Sequence, residues 1–98
     1  MVSKSYNKKK TYCKVTFRHK PVSEVQEVQI LGDFNEWGTK KKQLLKKRKD
    51  GTFSLTLSLK SQADYQYRFL VDGAWVTDTQ ADAVVWNTYG SQNAQVCV

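Results

Sequence analysis

An all-β fold, an antiparallel sandwich of immunoglobulin-like type with six to eight strands, is what this 98-residue sequence predicts. Three observations carry that expectation. Apolar residues alternate with polar ones in several short runs, and no stretch repeats them at helical spacing. The pairs Asp50-Gly51 and Asp72-Gly73 stand between such runs, as hairpin turns require. The length suits one domain, and 40% apolar, 26% charged and 12% aromatic residues are enough for a single core.

The elements follow in chain order. The opening "MVSKSYNKKK" is polar and basic, so residues 1–10 read as a flexible segment ahead of a domain over residues 11–98. Its basic start is followed by no apolar run and fits neither a secretory signal nor a membrane anchor, which predicts a cytoplasmic protein with no membrane partner. "YCKVTF" sets Cys13, Val15 and Phe17 on one face. After the loop "RHKPVSE", where Pro21 interrupts no ladder, "VQEVQIL" turns Val28 and Ile30 inward.

"LLKKRKDGTFSLTLSL" is a hairpin in which Asp50-Gly51 is expected to form a type I′ turn. Beyond it Phe53, Leu55, Leu57 and Leu59 alternate with small hydroxylated residues. "YQYRFLVDGAWVTD" repeats the device: Tyr65, Tyr67, Phe69 and Val71 share one face, Gln66, Arg68 and Leu70 the other, and Asp72-Gly73 turns the chain toward Trp75. "DTQADAVVWNTYGSQN" reads as loop, and "AQVCV" as the last strand.

Catalytic chemistry finds little to build on. His19 sits between Arg18 and Lys20 in a basic loop, where a solvated imidazole is expected rather than a general base. Asp33, Glu36, Asp72, Asp78 and Asp82 fall near turns, where carboxylates accept backbone hydrogen bonds, and nothing selects a pair among them. Cys13 and Cys97 lack metal-ligand spacing and read as two buried thiols, with a disulfide disfavoured in a reducing compartment. "GDFNEWG" lacks the lysine and helix of a phosphate-binding loop. No catalytic residue, metal site or cofactor is therefore expected, and an enzyme is the least supported class.

The net charge of +7 comes largely from Lys8–Lys10, Lys40–Lys42 and the "KKRK" run Lys46–Lys49. Such clusters raise nucleic acid as a partner. Lysines beside exposed strands also prevent sheets from pairing edge to edge, so a solvated basic face is the preferred reading and nucleic acid is disfavoured.

What stands out is a set of rings and amides placed in turns: Trp37, Trp75, Trp86, Tyr89, Asn35 and Asn93. A pyranose has an apolar C–H face that stacks on a flat ring and a rim of hydroxyls that hydrogen-bond to amides. Tryptophans of small sandwiches also serve as core, and composition leaves core and platform both open.

At "LGDFNEW", "YQYRFLVDGAWVTD" and "YGSQN" the chain resembles carbohydrate-binding module family 48, the glycogen- and starch-binding modules, over about Cys13 to Val98. Within that family the likeness runs toward short bacterial proteins built around an isoamylase-type early-set domain. The resemblance implies an early-set sandwich without catalysis of its own that binds an α-1,4-glucan, as glycogen, starch or malto-oligosaccharide. It also suggests a glycogen-metabolising enzyme as protein partner. Trp37 and Trp75 match the family's two sugar-stacking tryptophans, Arg68 a lysine that bonds glucose hydroxyls, and Asn93 a hydrogen-bonding asparagine. Tyr89 matches an aliphatic side chain that presses on the sugar ring, and Ser91 a threonine. Phe34 would then plug the core while Trp37 forms the platform. Trp86 matches no family role, and the lysine clusters lie outside the motif. Modules of this type attached to glycoside hydrolase family 13 enzymes often keep the fold without the sugar site, so a degenerate scaffold or protein-interaction domain is the alternative reading.

Overall fold

The computed structural model describes residues 2–39, 42–78 and 80–98. Alternating sequence becomes paired strand almost throughout. In chain order the strands are β1 (Val2–Tyr6), β2 (Tyr12–His19), β3 (Val28–Gly32), β4 (Gln43–Leu44), β5 (Lys46–Lys47), β6 (Phe53–Lys60), β7 (Asp64–Val71), β8 (Ala74–Val76), β9 (Ala83–Trp86) and β10 (Gln92–Cys97). A pair of 3₁₀ turns, Asp33–Gly38, follows β3. One antiparallel sheet has the order β1-β2-β6-β5; the other has β4-β3-β7-β10-β9, with β8 added beside β7.

The two sheets face each other across the core that the alternation predicts. Cys13, Val15 and Phe17 of β2 and Phe53 and Leu59 of β6 meet Val28, Ile30, Tyr67, Phe69, Val71, Ala94 and Val96 from the other sheet. Aromatic rings fill its centre. Phe17 meets Tyr67 edge-on at 4.8 Å between centroids, and Tyr67 meets Phe69 edge-on at 5.7 Å, the edge-to-face geometry that ring quadrupoles favour. The buried Tyr67 hydroxyl donates to Asp78 Oδ2 at 2.8 Å, so its polar end is satisfied. Burial and the facing carboxylate together hold that phenol well above its ordinary pKa.

Several expectations are corrected by this architecture. Ten strands form among the described residues instead of six to eight, because short edge pairings join the long ones. Residues 2–6, expected to be flexible, form β1, paired with β2 from Val2↔Phe17 to Tyr6↔Cys13. An ion pair between Lys4 and Asp82, 2.6 Å apart, ties β1 to the segment before β9. The stretch 78–93, expected as loop, contains β9, which pairs with β10.

The two Asp-Gly turns also differ. Asp72 (φ 48°) and Gly73 (φ 86°) both lie in the left-handed region between the paired residues Val71 and Ala74, as a type I′ hairpin needs. At the other turn only Gly51 (φ 86°) does. There the Gly51 N–H donates to the Arg48 carbonyl and the Arg48 N–H to the Thr52 carbonyl, giving a wider turn in place of the expected type I′.

His19, expected as solvated, is half-buried with its ring 5.4 Å from that of Phe69, and burial lowers its pKa. Both cysteines are free thiols; Cys13 is buried, but Cys97 only half so, since it alternates with the core residues Ala94 and Val96. Among the described residues no group of His, Cys, Asp and Glu side chains could hold a metal, and no helix is long and apolar enough to cross a membrane.

Candidate functional site

The outer face of the β4-β3-β7-β10-β9 sheet is built by the same two-residue period as the core. Gln66 and Arg68 alternate with Tyr67 and Phe69 on β7, and Asn93 alternates with Ala94 on β10. Trp75 on β8 pairs with Leu70 and so joins that outer face. Loops at either side raise walls around these residues. A concavity of about 860 Å³ results, lined by Trp37, Arg68, Trp75, Trp86, Tyr89 and Asn93 together with smaller polar residues, Ser91 among them.

The first wall is the segment Asp33–Gly38. Its glycine start follows from space: a Cβ at Gly32 would lie 2.6 Å from the Gln66 carbonyl oxygen and 2.8 Å from Tyr67 Cβ. Phe34 turns inward, with its ring 5.6 Å from that of Phe17 and 6.5 Å from that of Tyr67. Trp37 stays half-exposed and lines the concavity. Glu36 (φ 51°) and Trp37 (φ 57°) adopt left-handed backbone, an uncommon state for non-glycine residues that needs support from its surroundings.

Asn35 supplies much of that support. Only 3% exposed, it accepts from the backbone N–H of Gly32 (3.0 Å) and Gly38 (3.2 Å) and donates to the Ile30 carbonyl (3.0 Å) and Gln43 Oε1 (2.9 Å). It holds the loop and does not line the concavity, contrary to its expected place among the exposed amides. Asp33 completes the brace. One carboxylate oxygen accepts the Trp37 indole N–H at 3.1 Å, and the other accepts the Gln66 backbone N–H at 2.8 Å.

The opposite wall, residues 86–91, is organised by Asn87. Its Oδ1 accepts from the backbone N–H of Tyr89 (2.9 Å) and Ser91 (3.2 Å), and its Nδ2 donates to Ser91 Oγ (2.8 Å) and Asn93 Oδ1 (3.2 Å). Asn93, 7% exposed, donates in turn to Gln66 Oε1 at 3.0 Å. Amide orientation is therefore fixed before any ligand arrives. On the floor, the Arg68 guanidinium lies 5.1 Å from the Trp75 ring centre, and its Nε is buried without a hydrogen-bond partner.

All six residues singled out from the sequence, Trp37, Arg68, Trp75, Tyr89, Ser91 and Asn93, line this one concavity. Asp33, Gln66, Trp86 and Asn87 line it as well. Gln66 was legible, since it shares the outer face with Arg68 two residues on. Asp33 and Asn87 were not, because their contribution is a hydrogen-bond pattern that only the folded loops create. Of the lysine clusters, Lys8–Lys10 lie in the β1–β2 connection, Lys42 approaches Glu27 at 3.6 Å, and Lys46 and Lys47 form β5. Lys40 and Lys41 lie outside the described residues. Among the described residues no lysine lines the concavity, whose charged members are Arg68 and Asp33.

Residues 13–98 match the family described as the glycogen recognition site of AMP-activated protein kinase. The chain is similar to the beta-2 subunit of 5′-AMP-activated protein kinase from human, mouse and rat, 40% identical over 68 residues, covering 69% of this chain and 23% of the subunit. It is also similar to the chloroplastic PTST homolog 2 of Arabidopsis thaliana, 39% identical over 56 residues, covering 57% of this chain and 10% of that protein. The chain thus spans no more than about a quarter of these relatives. Among solved structures, the ferric enterobactin esterase of Salmonella typhimurium superposes over 99% of this chain and 34% of its own at a TM-score of 0.79, with 9% identity, a likeness of fold alone. A pullulanase mutant from Paenibacillus barengoltzii, solved with maltotetraose, superposes over 93% of this chain and 14% of its own at a TM-score of 0.55 and 25% identity.

Proposed function

This chain belongs to the glycogen-recognition family of AMP-activated protein kinase, and on that premise we propose that it binds α-1,4-glucan, without catalysis of its own, in the concavity over its second sheet. One observation carries the reading: indole rings and pre-oriented amides converge on a single shallow site that shows no charge excess among its described residues. That is the chemistry of a pyranose, apolar on its faces and hydroxylated around its rim.

Trp37 and Trp75 stack on sugar rings, Arg68 and Asn93 bond the hydroxyls, and Tyr89 and Ser91 close the side. A fully buried tryptophan hides roughly 150–250 Å², and a stacked sugar covers about half of it, worth about 2 kcal/mol per ring at roughly 25 cal/mol per Å². Two rings and a few hydrogen bonds of about 1 kcal/mol each, less the ordering cost, correspond to micromolar to millimolar affinity for a short oligosaccharide. A branched polymer with many chain ends raises the apparent affinity if binding modules are tethered or oligomeric.

The partner is then glycogen, starch or a malto-oligosaccharide, with an enzyme of glycogen metabolism as protein partner and the cytoplasm, where free thiols persist, as compartment. Titration of a linear malto-oligosaccharide into the labelled protein, followed by two-dimensional amide NMR, tests this reading. Movement of the Trp37 and Trp75 indole signals with those of Arg68 and Asn93 supports it; unchanged spectra at millimolar sugar overturn it and leave the scaffold reading.

A further inference from the structure

We propose that Trp86 is a third stacking surface that makes the site favour longer glucan chains over short ones, an inference that rests on the glucan reading above. Trp86 ends β9 and is 72% exposed, yet it lines the same concavity as Trp37 and Trp75. A large apolar ring left this open gains almost nothing from the fold that carries it, so a ligand is what can realise its burial energy.

The other two indoles offer less free surface than their positions suggest. Trp37 is half-buried with its N–H committed to Asp33, and the Arg68 guanidinium sits over Trp75. Much of the open ring area around the concavity therefore belongs to Trp86 and to Tyr89, itself 92% exposed. Neither is on a loose tether. Trp86 is registered against Gln92 in the β9–β10 ladder, and the next residue, Asn87, clamps the turn through Tyr89, Ser91 and Asn93. A backbone held in place before binding leaves only the side-chain rotamer to be ordered when a ligand meets the ring.

Size points the same way. The concavity, about 860 Å³, lies toward the upper end of the roughly 300–1,000 Å³ range of small-molecule sites, with room for several sugar rings. A trisaccharide satisfies Trp37 and Trp75; a longer chain continues over the β9 end of the site to Trp86. Trp86 thus sets chain-length preference while the matched residues set recognition of the sugar.

The test is calorimetric titration of maltotriose and maltoheptaose into the full chain and into Trp86→Ala and Trp86→Phe, each checked for fold by its amide spectrum. Wild type binds maltoheptaose more tightly than maltotriose. Trp86→Ala is expected to lose about tenfold in affinity for maltoheptaose and less than about twofold for maltotriose, whereas Trp86→Phe, which keeps a ring, retains most of the preference. An Ala variant with the wild-type affinity ratio overturns the proposal while the glucan site stands. Failure of wild type to bind either sugar overturns both.

Discussion

Arg68 lies with its guanidinium carbon 5.1 Å from the centre of the Trp75 ring, a stacking contact between neighbouring strands β7 and β8 on the outer face of their sheet. The contact joins an arginine of the concavity to a half-exposed ring on its floor. It fixes the orientation of the indole and holds the guanidinium beside the place where sugar hydroxyls would come.

Because Arg68 both lies over Trp75 and lines the site with a guanidinium that can donate to hydroxyls, its loss should reach binding by two routes. Arg68→Ala is expected to weaken malto-oligosaccharide binding about tenfold, and Arg68→Lys to recover only part of it, since an ammonium lacks the planar stack. Calorimetric titration of the two variants checks the order.

Trp37→Ala and Trp75→Ala should each cost about 1–2 kcal/mol of binding and together bring it below detection, while the amide spectrum stays dispersed. Neither indole belongs to the buried core, which is why the fold survives. Affinity for the sugar should hardly change between low and high salt, because Arg68 and Asp33 are the charged residues that line the site and they oppose each other. A steep fall with salt would instead indicate the lysine-rich surface.

Asn35 satisfies four backbone and side-chain partners from a buried position. Asn35→Ala removes them all and leaves part of the loop backbone unpaired, with an expected loss of about 3 kcal/mol in urea unfolding. The Trp37 indole signal should broaden or shift even without ligand, since Asn35 supports the left-handed turn that carries it.

Gly32→Ala tests close approach in place of hydrogen bonding. The added methyl meets the Gln66 carbonyl at 2.6 Å and Tyr67 Cβ at 2.8 Å, neither of which can swing aside. A loss of about 1–3 kcal/mol in unfolding free energy is expected. A near-neutral outcome would mean that β3 and β7 separate more easily than their packing implies.

His19 gives the chain a pH dependence of definite sign. Burial beside Phe69 disfavours its imidazolium and lowers its pKa below 6.5, with Asp78 opposing only in part. The unfolded chain therefore binds the extra proton first, and stability present above pH 6.5 is lost as pH falls from there toward the folded value. Melting temperature should decline between about pH 7 and pH 5, and His19→Gln should flatten that decline. Asp50, through its hydrogen bonds from Thr52, and Asp82, through those from Cys97 and Lys4, are shifted below the ordinary 3.8, so their contribution disappears in a separate, more acid window.

Strand after strand was legible because burial on one face imposes a period of two, which Tyr65 to Val71 and Cys13 to Phe17 display without interruption. β1 and β9 escaped notice for a shared reason. Both are edge strands with polar or exposed residues, so their pairing rests on backbone hydrogen bonds and, for β1, the contact of Lys4 with Asp82. His19 differs from its expected place because alternation along β2 puts it on the same side as Cys13, Val15 and Phe17, the side opposite to its charged neighbour Arg18.

By itself, the sequence determined the sandwich, the core faces and the rings available for a flat ligand, since these depend on side-chain type and on spacing along one strand. Tertiary structure alone decided that Trp37, Trp75 and Trp86 share one concavity, that Asn35 braces a loop while Asn93 lines the site, and that Arg68 stacks on Trp75. Those relations join residues from β3 to β10. They arise from the register of strands far apart in sequence and from loop hydrogen bonds such as those of Asp33 and Asn87, which no local pattern encodes.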